Sequence, residues 1–162
     1  MAVSDEILAT YRGPGRVLRR MLGEGADETR ALGYLLAGLV LAFVARWPAL
    51  SRAAHLDPAQ PLVQRAMAAF LATLALLPAF YLVAGLSRIV ARALGGHGSG
   101  YGARLALFWA FLAAAPLMLL HGIVSGFLGA GPGVTLFGVL VFAAFLWIWI
   151  SGLLASERGA VA

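Results

Sequence analysis

Neither cysteine nor lysine occurs among the 162 residues. The first absence excludes disulfides, thiolate nucleophiles and cysteine-based metal sites. Charge of either sign is scarce. Acidic and basic residues together make up 12% of the chain, about half the share usual in a soluble domain. So few charges do not cover the surface of a soluble protein of this size. The seven acids avoid every long apolar stretch: Asp5, Glu6, Glu24, Asp27 and Glu28 lie near the start, with Asp57 and Glu157 further on. No nucleophile sits beside a base, no carboxylates face each other within a span, and His55, His97 and His121 fall in three separate segments. An active site needs such a constellation, so the expectation is no enzyme, no cofactor and no metal.

What is present is apolar. Hydrophobic residues make up 62% of the chain, and the mean hydropathy is +0.90. Four stretches stand out, spanning about 31–50, 66–87, 105–128 and 134–155. Roughly twenty apolar residues in a helix cross a hydrocarbon core about 30 Å thick. The fold class implied is an all-α, polytopic transmembrane bundle. It divides into an N-terminal segment (1–30), a membrane domain (31–155) and a short tail (156–162). Acidic residues precede the first apolar run and no small-residue cleavage site follows it, so it reads as a retained span and not as a signal peptide.

All twelve basic residues are arginines, giving a net charge of +5. On a soluble chain such an excess suggests nucleic acid. Here the arginines flank apolar spans, so the lipid bilayer, and anionic phospholipid in particular, is the simpler partner. Pro14 and Gly23 bracket a short helix in which Val17, Leu18, Met21 and Leu22 share a face opposite Arg16, Arg19 and Arg20. Such a helix suits the head-group region, the alternative being a solvated juxtamembrane helix without a regulated role. The glycine-rich segment 95–102 reads as a flexible linker, or as a lipid contact through Arg88, Arg92 and Arg104, which surround it and offer further head-group contacts. Those glycines follow no strand and precede no Gly-Lys-Ser/Thr, so a nucleotide loop is not indicated. Nine arginines fall on the side of the termini and three on the other, which puts both termini in the cytoplasm. Trp109, Trp147 and Trp149 lie toward the same boundary, as an aromatic belt would.

Within the spans, Asp27 is placed to cap the first helix, and 46–65 reads as an irregular connection or a short surface helix. Pro78 and Pro116 bend the second and third spans, and each frees a carbonyl that a packing partner has to satisfy. The glycine-rich turn at 129–133 is so short that the third and fourth spans must be antiparallel neighbours. Gly122 and Gly126 form a GxxxG step suited to close helix contact. His121 titrates near neutrality and lies about 12 Å from that turn at 1.5 Å per residue. Together with Ser125 one turn later, it is either a proton relay or ligand contact, or a structural hydrogen bond to a neighbouring helix.

Three segments carry a resemblance: Tyr11–Leu22 (YRGPGRVLRRML), Arg104–Leu120 (RLALFWAFLAAAPLMLL) and Leu136–Leu154 (LFGVLVFAAFLWIWISGLL). Together they resemble bacterial members of the Yip-domain family, relatives of eukaryotic Ypt/Rab-interacting membrane proteins. The resemblance implies five spans, of which this chain shows four, leaving a helix face for a partner to cover. The Ala- and Arg-rich composition points to a bacterial inner membrane. The functional expectation is a non-enzymatic scaffold or accessory subunit that contacts other membrane proteins. The alternative is a small transporter or channel built on the Pro78 and Pro116 bends with His121 in its path.

Overall fold

The computed structural model describes residues 3–158. They form six helices: α1 (Val3–Thr10), α2 (Pro14–Gly23), α3 (Glu28–Leu56), α4 (Leu62–Ala93), α5 (Gly100–Leu128) and α6 (Pro132–Arg158). The last four are each long and apolar enough to cross a membrane, and the described residues contain no strand. The chain is therefore an all-α, multi-pass membrane protein in contact with the bilayer.

Local chemistry sets the helix ends. The Asp27 carboxylate accepts from the Thr29 and Arg30 amides at 2.9 and 3.1 Å, satisfying two first-turn donors of α3. Ser99 does the same for α5 through the Gly102 amide at 3.0 Å. Gly129 ends α5 at φ +74°, a conformation that a side chain disfavours. Pro132 then opens α6, where its fixed φ is already helical and its missing N–H costs nothing.

One expectation fails at the far end of the bundle. The 46–65 segment is mostly regular helix: α3 runs through Pro48 to Leu56, and only 57–61 link it to α4. Pro48 packs on Gly126 of α5. Arg52, one turn later, donates to the Gly126 and Phe127 carbonyls at 3.4 and 3.0 Å. A guanidinium at the negative end of α5 satisfies carbonyls that have no partner within the helix.

Helix α5 is the axis of the molecule. From Tyr101 to Ala115 every residue except Arg104 is buried, around the full circumference of the helix. Helix α3 lies closest to it, along a seam of small residues. Gly38 faces the Phe111 ring, Gly122 faces the Ala45 carbonyl, and Gly126 faces Pro48. The α4 rings complete the cluster, with Phe80 on Phe111 at 4.5 Å and Tyr81 on Phe108 at 5.1 Å. Helix α4 is otherwise largely exposed, and near its end Arg88 pairs with Glu157 of α6.

Helices α1 and α2 fill the remaining side of α5. Val17, Leu18 and Met21 are buried, and Leu18 presses with Ala106 onto Gly152 of α6. The apolar face of α2 is therefore turned into the protein, not into the head-group layer as the amphipathic pattern suggested. Its arginines keep the exposed side.

Candidate functional site

The first cluster joins the N-terminal hairpin to α5. Thr10 is fully buried at the end of α1, and its hydroxyl donates to the Glu6 carbonyl at 2.7 Å. It accepts the Trp109 Nε1–H at 3.0 Å. Trp109 is only 1% exposed and meets Tyr34 edge-on at 5.0 Å. It is thus a core residue and not part of a boundary belt; its indole N–H found a protein partner in place of a head group.

Next to Thr10, Tyr11 donates its hydroxyl to the Ala113 carbonyl at 2.7 Å. Ala113 lies in the turn before Pro116, next to Leu112, whose carbonyl is the one that the proline leaves without a donor. A residue 102 positions away thus bonds beside the bend. Burial raises the Tyr11 pKa above its ordinary value, because a phenolate is poorly solvated there. The neutral phenol is the bound form, so its stabilisation is complete below the free phenol value and lost as pH rises past it. We expect the hairpin to loosen above about pH 10. Tyr11→Phe should remove that alkaline step while costing about 1 kcal/mol at neutral pH. An alkaline unfolding titration of the two proteins checks this; coincident curves would discard the role of Tyr11.

The second cluster lies where α4, the 95–102 segment and α6 meet. The glycines there do cradle an anion, and it belongs to the protein. Glu157 Oε2 accepts the Gly98 amide at 2.7 Å and Arg88 Nη1 at 3.3 Å. A Cβ at Gly96 or Gly98 would collide with the Glu157 carboxylate, so the segment is held and not a free linker. Above this node an apolar cleft of about 830 Å³ opens between α4 and α6.

The third cluster surrounds His121, which is partly buried. Its Nε2–H donates to the Val134 carbonyl of α6 at 3.2 Å, and Gly138 leaves room for the ring. Ser125 turns back to the Gly122 carbonyl at 3.0 Å and makes no bond to His121. Arg46 and His121 line one cleft of about 510 Å³. No group of three metal-ligating side chains occurs among the described residues.

The six arginines marked for head groups divide evenly. Arg20 pairs with Glu6 at 2.8 Å, Arg88 pairs with Glu157, and Arg104 pairs with Glu28 of α3. Arg16, Arg19 and Arg92 are exposed and form no ion pair among the described residues. Pro78 is exposed on α4, and no side chain among the described residues donates into its turn. The Thr10–Trp109, Tyr11–Ala113 and Glu157–Gly98 contacts had no signal in the sequence beyond the isolated position of Glu157. Compared with protein-family models, curated proteins and solved structures, the chain matches none.

Proposed function

We propose that this chain is a non-enzymatic scaffold or accessory subunit of a larger assembly in a bacterial inner membrane, with a Yip-like bundle and both termini in the cytoplasm. The outer face of α4 is the observation that carries this reading. Ala75 and Pro78 are exposed there about one turn apart, and Ala68 and Ala72 line the adjoining cleft toward Arg46 and Leu50 of α3. Small residues let another helix approach closely. Proline leaves the Leu74 carbonyl without its usual N–H donor, and an unsatisfied carbonyl facing hydrocarbon is costly. A neighbouring subunit relieves both conditions. The orientation is supported by the nine-to-three arginine distribution under the positive-inside rule.

The absence of cysteine makes a clean test possible. Ala75→Cys would give the chain a single thiol on this face. Thiol cross-linking in native membranes should yield one discrete adduct with another membrane protein. An uncross-linked monomer, together with a lone monomer by mass spectrometry in gentle detergent, would remove the proposal.

The transport reading has one observation behind it, the shared cleft of Arg46 and His121. Against it, His121 is engaged by Val134. The half of α5 toward the termini is packed on all sides between Tyr101 and Ala115 apart from Arg104.

A further inference from the structure

Arg46 is a cation set within an apolar span. Residues 31–45 before it carry no charge. Helix α3 continues ten residues beyond it to Leu56, about 15 Å at 1.5 Å per residue. Arg46 is exposed and forms no hydrogen bond or ion pair among the described residues. It lines the cleft of His121 and a second one, of about 430 Å³, between α3 and α4; no carboxylate lines either. A charge in a span without a counter-ion is costly. The α3–α4 cleft gathers further donors, since Gln60, Gln64 and Arg65 also line it. Arg65 donates Nη2 to Asp57 at 2.8 Å and Nε to the Gln60 carbonyl at 3.0 Å. Its Nη1 and the side-chain amides of Gln60 and Gln64 have no partner among the described residues. Asp57 balances Arg65, so the cleft keeps one net positive charge, that of Arg46.

We infer that this cleft holds the phosphodiester of one phospholipid, from the leaflet opposite the termini. Gln60, Gln64 and Arg65 lie at the 57–61 link, where the hairpin leaves the membrane, while Ala68 and Ala72 lie deeper along α4. Arg46 snorkels outward on its long stem and takes two phosphate oxygens with its planar fork. Arg65 Nη1 and the Gln64 amide donate to the remaining oxygens. The glycerol and the start of an acyl chain follow the trough that Ala68 and Ala72 leave beside Leu50, on the membrane side of the polar groups. One phosphodiester carries the single negative charge that Arg46 lacks. The contacts are to phosphate, so ethanolamine and glycerol head groups serve alike. A second copy of the chain fits less well, because its acids all lie outside the apolar stretches and bring no carboxylate to this depth. The site adjoins the outer face of α4 and does not require a subunit there.

Native mass spectrometry of the delipidated full-length chain in mild detergent gives the test. The chain is offered phosphatidylglycerol, phosphatidylethanolamine and uncharged diacylglycerol with the same acyl chains, in equal amounts. One phospholipid of either kind should be retained about tenfold over diacylglycerol, the scale of one charge-assisted hydrogen bond. Arg46→Gln should remove that preference. Ala72→Trp should fill the trough and lower phospholipid retention about tenfold; Ala72 is exposed, so this variant folds and serves even if R46Q does not. Arg92→Gln, an exposed arginine at the other end of α4, should change nothing. Inorganic phosphate at matched ionic strength should not displace the lipid; displacement would make free phosphate the ligand. Equal retention of diacylglycerol, an R46Q chain that keeps the preference, or an equal loss in R92Q would overturn the site. A discrete cross-link from Leu50→Cys to another protein in native membranes would also overturn it, by putting a protein in the cleft.

Discussion

Replacing Gly122 by alanine should destabilise the bundle by about 3 kcal/mol or more, at the top of the range for overpacking. A Cβ there is driven into the Ala45 carbonyl and the surrounding α3 backbone, not into a side chain that can swing away. Relief requires α3 and α5 to separate, and that seam also carries the Gly38–Phe111 and Gly126–Pro48 contacts. The natural control is Gly85→Ala. Gly85 lies within α4, has nothing within 4 Å of a new Cβ, and should gain a few tenths to about 1 kcal/mol from helix propensity. Equilibrium unfolding in mixed micelles, followed by tryptophan fluorescence, compares the two. Equal responses would mean that α3 and α5 are not in the contact described.

Trp109→Ala should cost about 3–5 kcal/mol, the range for emptying a large aromatic site in a close-packed core. Its particular consequence is release of the N-terminal hairpin. Trp109 is the hydrogen-bond partner of Thr10 and lies under Tyr34, so its loss unseats α1 from α5. Trypsin should then cleave rapidly at Arg12, Arg16 and Arg19, which already face outward and are protected only by the docked backbone around them. Trp109→Phe retains most of the packing and loses the indole donor. It should cost about 1 kcal/mol and expose the hairpin only slightly. Continued protection of the hairpin in Trp109→Ala would show that α1 and α2 are held by something other than α5.

The two predictions differ in how much of their basis was legible. The GxxxG step at Gly122 and Gly126 is visible in the residues, and so is its suitability for close contact. Its partner, the Ala45–Pro48 stretch of α3, is not, because Arg46 and Pro48 make that stretch look like the end of a span. Trp109 misleads in the opposite sense. Near a helix start in a membrane chain, tryptophan reads as an interfacial anchor. Only the approach of Thr10, from the other end of the sequence, makes it a core residue.

The amphipathic segment at Arg16–Leu22 shows the same limit. Its boundaries at Pro14 and Gly23 follow from backbone chemistry, and so does the grouping of Val17, Leu18 and Met21 on one face. A hydrophobic face does not say whether it meets lipid or protein, since both are apolar. Here it meets Ala106 and Gly152.

Composition and local chemistry thus determine the solvent this chain lives in, its four crossing helices, the Asp27 cap and the glycine turn after Leu128. Each depends on residues close in sequence, through backbone hydrogen bonding and hydrocarbon transfer. The arrangement of the helices depends on distant partners, and hydropathy carries almost no trace of it. Helix α6 is slightly more apolar than α5, yet only 11% of its span is buried against 56% of the α5 span. In water, a buried helix would declare itself by its apolar surface. In a bilayer, lipid is as apolar as the protein interior, so packing density and a few long-range hydrogen bonds choose the centre. Tyr11 on Ala113 and Thr10 with Trp109 are such bonds to α5, while Glu157 on Gly98 ties α6 to the segment that leads into α5.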